Sequence, residues 1–263
     1  MSSFMKKMLS SIGIGSAKVD TVLNNDEFVP GEIIEGVVHI EGGKVEQKIE
    51  DVYLSIVATY TEIKEFEFGD KEKEMEMTKQ AVLSKVKIID AFTIGKGERV
   101  QFPIQVQLSY DTPLTLGKTK VWIQTGLDID NAIDPSDRDY IRVTPNHLVD
   151  GLFKSLEDIG FRMYEVECET TKTLRNRLPF IQEFEFKAKS GPFHARLDEL
   201  EVVLFVEENK VSAILEIDRK ARGSKSLLSE MLEKDESVVR FTYTEEDIPN
   251  LQNSLYELIN QHS

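Results

Sequence analysis

The stretch EVVLFVEENKVSAILEIDRK, Glu201–Lys220, decides the fold class. Both arms are filled with Val, Ile, Leu and Phe, residues that suit a pleated, half-buried surface. Between them stands Glu208-Asn209, a polar pair where a two-residue hairpin turn belongs. The stretch predicts two antiparallel strands joined by a tight turn. The pattern extends on both sides of it. FRMYEVECETTKT and PFIQEFEFKAK precede it and SVVRFTYTEEDI follows, all rich in β-branched and aromatic residues.

The first half of the chain reads the same way. AKVDTVLNN, EIIEGVVHIEG, IEDVYLSIVATYTEIKEF, AVLSKVKII, GERVQFPIQVQL and TKVWIQTGLDID are strand segments. Turn signals separate them: Pro30-Gly31, Gly42-Gly43, Gly69-Asp70, Gly95-Lys96-Gly97 and Asp111-Thr112-Pro113. Two strands are long, around Val52–Phe66 and Met75–Ile89, and the charged EFGDKEKEME between them is expected to be a solvated hairpin tip. Many strands with short turns point to antiparallel sandwiches.

Three helical patterns interrupt the strands. VTPNHLVDGLFKSLEDIGF carries an apolar stripe of Leu148, Val149, Leu152, Phe153, Leu156 and Ile159. Thr144 is its expected N-cap, Pro145 its first residue and Gly160 its C′ residue. SKSLLSEMLEKDE is helical through Leu227, Leu228, Met231 and Leu232, and the chain ends with Ile248, Leu251, Leu255, Leu258 and Ile259 on one side of a last helix. Phe4, Met5, Met8, Leu9 and Ile12 form a short helical stripe at the start, expected to pack on its own domain or on a twin chain. The expected layout is mainly β, with two antiparallel β-sandwich domains and a few short helices. It comprises a helix at 1–15, a sandwich at 16–144, a linker helix at 145–160, a second sandwich at 161–246 and a helix at 247–263.

The length of 263 residues suits two domains. The charge balance, 32 − 47 = −15, repels phosphates and speaks against nucleic acid as a partner. Cys168 is the single cysteine, so no internal disulfide forms and a reducing, cytoplasmic setting fits. No apolar run reaches the length of a bilayer span, so no stable membrane insertion is expected. The start imitates a signal peptide, but Ser10, Ser11 and Gly13 make its apolar stretch weak.

No catalytic set stands out. His39, His147, His194 and His262 are scattered without zinc-ligand spacing. Nucleotide-binding loops and the serine-hydrolase elbow are absent. The expectation is a protein without enzymatic activity and without a cofactor; a hydrolase using dispersed carboxylates is the enzyme alternative. The one concentration of chemistry is TGLDIDNAIDPSDRDY, Thr125–Tyr140, with Asp128, Asp130, Asp134, Asp137 and Asp139. Carboxylates so close repel one another unless something neutralises them. The run fails as an EF-hand loop: Ile133 stands where glycine is required, Ala132 at the fifth position and Asp139 in place of the last glutamate. Calcium on a sandwich loop needs no such spacing, so Asp128, Asp130 and Asp134 remain candidate ligands. The other reading is an ion-pair cluster, with Arg138 and Arg142 nearby and Arg162, Arg175, Arg177 and Arg196 from the second domain.

At these residues the chain resembles the bacterial sporulation-control proteins of the SpoOM type. GIGSAKVDTVL with FVPGEIIEGVVHIEGG resembles the family's opening strands. VWIQTGLDIDNAIDPSDRDYIRVTP resembles the end of its first domain, and LPFIQEFEF with GPFHARLDELEVVLFV its second. The resemblance implies two arrestin-like β-sandwich domains in a cytoplasmic bacterial protein, peripheral to the membrane or division site. It implies a regulatory scaffold at the onset of sporulation, linked to cell division through other proteins. By analogy with arrestin-like folds, the Asp128–Asp139 cluster would lie at the domain interface. Exposed strand edges and the N-terminal helix would also serve a homodimer.

Overall fold

The computed structural model describes residues 15–68, 71–129, 134–171, 178–218 and 238–263, with backbone alone at 65–68 and 71–74. The expected N-terminal helix (but for Gly15), Asp130, Arg175, Arg177 and the helical pattern around Leu227–Leu232 lie outside these residues. The fold is mainly β. The strands are β1 (Lys18–Leu23), β2 (Glu27–Phe28), β3 (Ile33–Glu41), β4 (Gln47–Phe68), β5 (Lys71–Ile89), β6 (Phe92–Ile94) and β7 (Arg99–Gln107). They continue with β8 (Val121–Ile129), β9 (Ser136–Val143), β10 (Phe161–Thr170), β11 (Phe180–Ala188), β12 (Glu199–Val206), β13 (Lys210–Asp218) and β14 (Val238–Thr244). Two α-helices are described, α1 (His147–Asp158) and α2 (Leu251–His262); a 3-10 helix (Glu245–Asn250) leads into the latter.

The chain divides into two compact units. Unit 1 takes the described part of Met1–Ala58 with Val82–Thr112 and Lys120–Thr144; unit 2 takes Thr59–Ala81, Pro113–Thr119 and Pro145–Ser263. Strands β4 and β5 each contribute residues to both units, alongside the expected spans 16–144 and 161–246.

In unit 1, β1, β3 and β7 form one antiparallel sheet, and β4, β8, β9 and β2 are neighbours in a second. The two face each other through Thr21 and Thr125, whose hydroxyls are 2.6 Å apart. Ile34, Val38 and Ile40 of β3 and Ile56, Ile123 and Leu127 of the second sheet are almost fully buried. Each such side chain stabilises the fold by about 1.5–3 kcal/mol relative to exposure.

In unit 2 the order is β14-β13-β12-β11-β10, all antiparallel. The β12–β13 hairpin turns at Glu208-Asn209, where the Glu207 amide donates to the Lys210 carbonyl at 2.9 Å. One face of the sheet packs on α1: the Phe153 ring lies 5.1 Å from Phe184 and 5.9 Å from Phe186, centroid to centroid. The stripe read from the sequence, Leu148 to Ile159, is buried throughout. Its N-cap requires a correction. Asn146, not Thr144, caps α1, its side-chain oxygen accepting from the Val149 amide at 2.9 Å. Thr144 is still strand-like, and its amide donates to the Phe28 carbonyl in unit 1. Gly160 follows the helix at φ +102°, as a C′ glycine should. On α2, Leu251, Leu255 and Ile259 are buried and Leu258 half-buried.

Candidate functional site

The aspartate run lies in unit 1, where the β8–β9 hairpin spreads it over two faces. Register pairs Ile123 with Asp139, Gln124 with Arg138 and Thr125 with Asp137. Alternation then turns Asp137 and Asp139 towards the β1–β3–β7 sheet and Arg138 and Arg142 the other way. Asp139 is buried. Asp137 Oδ2 accepts the Thr21 amide at 2.9 Å, and Asp134 Oδ1 accepts the Ile129 amide at 3.1 Å. Asp134 and Asp137 therefore bond to backbone N–H groups.

The arginines have other neighbours. The Arg138 guanidinium lies 5.4 Å from the Trp122 ring centroid, with Tyr140 at 5.7 Å on the same indole. Arg142 Nη1 is 3.3 Å from Glu27 Oε2. In unit 2, Arg162 donates to the Glu157 and Phe161 carbonyls, and Arg196 to Asn260 and Ser263.

Asp128 is exposed and sits directly opposite Asp51 on β4. Like charges so placed are unfavourable. Lys87 offsets them: its ammonium is 2.5 Å from Asp51 Oδ1 and 3.4 Å from Asp90 Oδ1, and these bonds, Asp51 first, raise its pKa. Next along β4 is Tyr53, with the Lys85 ammonium 3.7 Å from its ring centroid. Burial, then Asp134 and Asp128, push the Tyr53 phenol up. A Cβ on Gly126, its cross-strand partner, would fall within the Tyr53 ring. The neutralising lysine and the stacked tyrosine come from strands far away in sequence, which is why the run alone did not reveal them. Among the described residues no group of three or more His, Cys, Asp or Glu side chains is arranged to hold a metal.

A second concentration of charge lies on the face of the unit 2 sheet opposite α1. Register places Glu165 beside Glu185, Glu167 beside Glu183, Glu185 beside Glu201, and Glu201 beside Glu216. Glu183 and Glu216 are only 3% and 5% exposed. Burial, a hydrogen bond with Glu183 and the charges of Glu183, Glu216 and Glu185 raise the Glu201 carboxyl to about 10. Burial and Glu199 raise Glu185 to about 8, and burial and Glu183 raise Glu169 to about 7. A carboxyl–carboxyl hydrogen bond requires a proton on one partner. Each glutamate stands at every second position of its strand; only the register reveals that four strands bring them together.

At the edge of this face a cleft of about 60 Å³ is lined by Thr59, Thr61, Glu76, Lys118, Glu167 and Cys168. Lys118 is 3.1 Å from Glu167 and 3.7 Å from Glu76. The Cys168 thiol is buried beside the Thr119 hydroxyl at 3.3 Å, and burial pushes its pKa to about 12. A thiol held in that form is a poor nucleophile. No described helix is long and apolar enough to cross a membrane.

Known proteins resemble this chain along nearly its whole length. The family model described as SpoOM protein matches residues 5–221. The chain is 39% identical over 264 residues to a sporulation-control protein, Spo0M of Bacillus subtilis, covering 99% of both chains. The crystal structure of Bacillus subtilis Spo0M matches with a TM-score of 0.83 at 37% identity, covering 95% of this chain and 100% of that one. The mainly β fold, the ordered strands and the near full-length match lead to one conclusion: the chain belongs to the SpoOM protein family.

Proposed function

We propose that this chain is a non-enzymatic regulatory scaffold in the control of sporulation, acting through contacts with other proteins and bearing on cell division. The observation that carries the reading is the match to Spo0M of Bacillus subtilis over 99% of both chains, under the name of a sporulation-control protein. The described chemistry is consistent with it: carboxylates bonded to backbone amides, a buried unreactive thiol and a small cleft are features of a scaffold. Its place is the cytoplasm, at the periphery of the membrane or the division site. In-cell cross-linking of the tagged chain during early sporulation tests the reading. A defined partner recovered in that phase supports it; none recovered in any growth phase overturns it.

A calcium-dependent module is the second reading, favoured by one observation: Asp128 and Asp134 act on the same Tyr53 phenol. Titration calorimetry decides it. Heat with about 1 mM calcium, lost in Asp128→Asn with Asp134→Asn, supports calcium binding in the weak range of extracellular modules; no heat ends that reading.

A further inference from the structure

Among the described residues β7 and β14 each border a sheet with one neighbouring strand, and they differ in one respect. Strand β7 borders its sheet with β3 as its only neighbour among the described residues. The Leu108 amide donates to the Glu32 carbonyl at 2.8 Å, so the adjoining Ile33–Gln107 pair is a wide one. Counting along β7, the backbone groups of Val106, Ile104 and Phe102 turn to β3, while those of Gln105, Pro103 and Gln101 turn outward. Pro103 has no N–H to offer, so it interrupts this edge against a further strand.

Strand β14 borders the unit 2 sheet, with β13 as its only neighbour among the described residues. Lys210 gives its carbonyl to Glu207 across the β12–β13 turn. The Lys210–Thr244 pair is therefore wide, and Tyr243, Phe241 and Val239 bond to β13. The N–H and C=O groups of Thr242, Arg240 and Val238 all turn outward, with no proline among them. The Thr244 amide, next in the outward row, is already taken by Asp247 at 2.8 Å. Arg240 and Thr242 are exposed.

We infer that the outer edge of β14 accepts an extended segment of another protein as an added strand. Backbone groups at Val238, Arg240 and Thr242 supply the bonds, and charge selects the occupant. Beyond Thr244 stand Glu245, Glu246 and Asp247, all exposed; at the other end Val238 lies opposite Glu216, which is buried. A foreign segment with a basic residue at the end that passes Thr244 meets these exposed acids with opposite charge. The inference rests on the protein-interaction reading above.

The test uses the full chain and a labelled peptide of about seven residues, alternating threonine and valine with lysine at both ends. Fluorescence anisotropy is expected to show binding that is about tenfold weaker when the end lysines are glutamates. Binding is expected to vanish when alternate peptide amides are N-methylated, a control that needs no protein variant. Thr242→Pro removes one outward N–H, leaves the backbone bonds to β13 in place and loses only the exposed hydroxyl bond to Ser212; it is expected to abolish binding. Amide exchange is expected to slow at Arg240 and Thr242 when the peptide is added. No binding at about 1 mM peptide, equal binding by Thr242→Pro, or a dimer that Thr242→Pro dissolves would each overturn the inference. A cross-linked cellular partner retained by Thr242→Pro would also overturn the edge while leaving the regulatory reading standing.

Discussion

Asp137 holds the Thr21 amide, a bond that joins β9 to β1 across unit 1. Asp137→Ala leaves a partly buried donor without its acceptor, which costs about 1–3 kcal/mol. Urea unfolding should show that loss. Arg138→Ala removes only an exposed cation stacked on the buried Trp122 and should cost about 0.5–1 kcal/mol. Equal effects of the two substitutions would contradict the geometry. Cys168 gives a third residue-scale expectation: a thiol reagent at pH 8 labels the unfolded chain and leaves the native one unmodified, because burial holds the thiol protonated. The aspartate run was plain in the sequence as a concentration of charge. Its division between two faces follows from strand alternation once β8 and β9 are paired. Lys87, Lys85 and Tyr53 could not be read from it, because they arrive from β4 and β5 through long-range pairing.

The strands and helices were largely legible. The β12–β13 hairpin, the stripe of α1 and the long β4 and β5 all follow from local pattern. The N-cap of α1 did not, because Thr144 and Asn146 are both good caps and only the bond from the Thr144 amide to Phe28 decides between them. The glutamate array was the larger omission. Period-two glutamates look like the solvated face of a strand, and what distinguishes them is burial across four strands. Their pH consequence has a definite sign. Glu169, Glu185 and Glu201 keep protons to about 7, 8 and 10, whereas the unfolded chain releases them near 4.5. Between those limits the folded state binds more protons, so stability is greatest at the acid end of the window and falls as pH rises. The melting temperature should be lower at pH 9 than at pH 6, by about 2–4 °C for each kcal/mol lost. Glu201→Gln should flatten that slope. A wild-type melting temperature that rises from pH 6 to pH 9, or a slope that Glu201→Gln leaves unchanged, would contradict proton retention in the array.

For the molecule as a whole, alternation, turn residues and the near absence of long helices were enough to place it among mainly β proteins. The division into units was less accessible. A strand of 22 residues such as β4 serves both units, and nothing in its local composition marks where one stops. Function at this scale rests on family membership and on the regulatory reading of it, and both meet in one assay. A Bacillus subtilis strain lacking its own Spo0M would be supplied with this chain and scored for heat-resistant spores. Sporulation restored towards the parental frequency is the predicted result. A spore count indistinguishable from that of the deleted strain, with the chain present at normal levels, would contradict the proposed role.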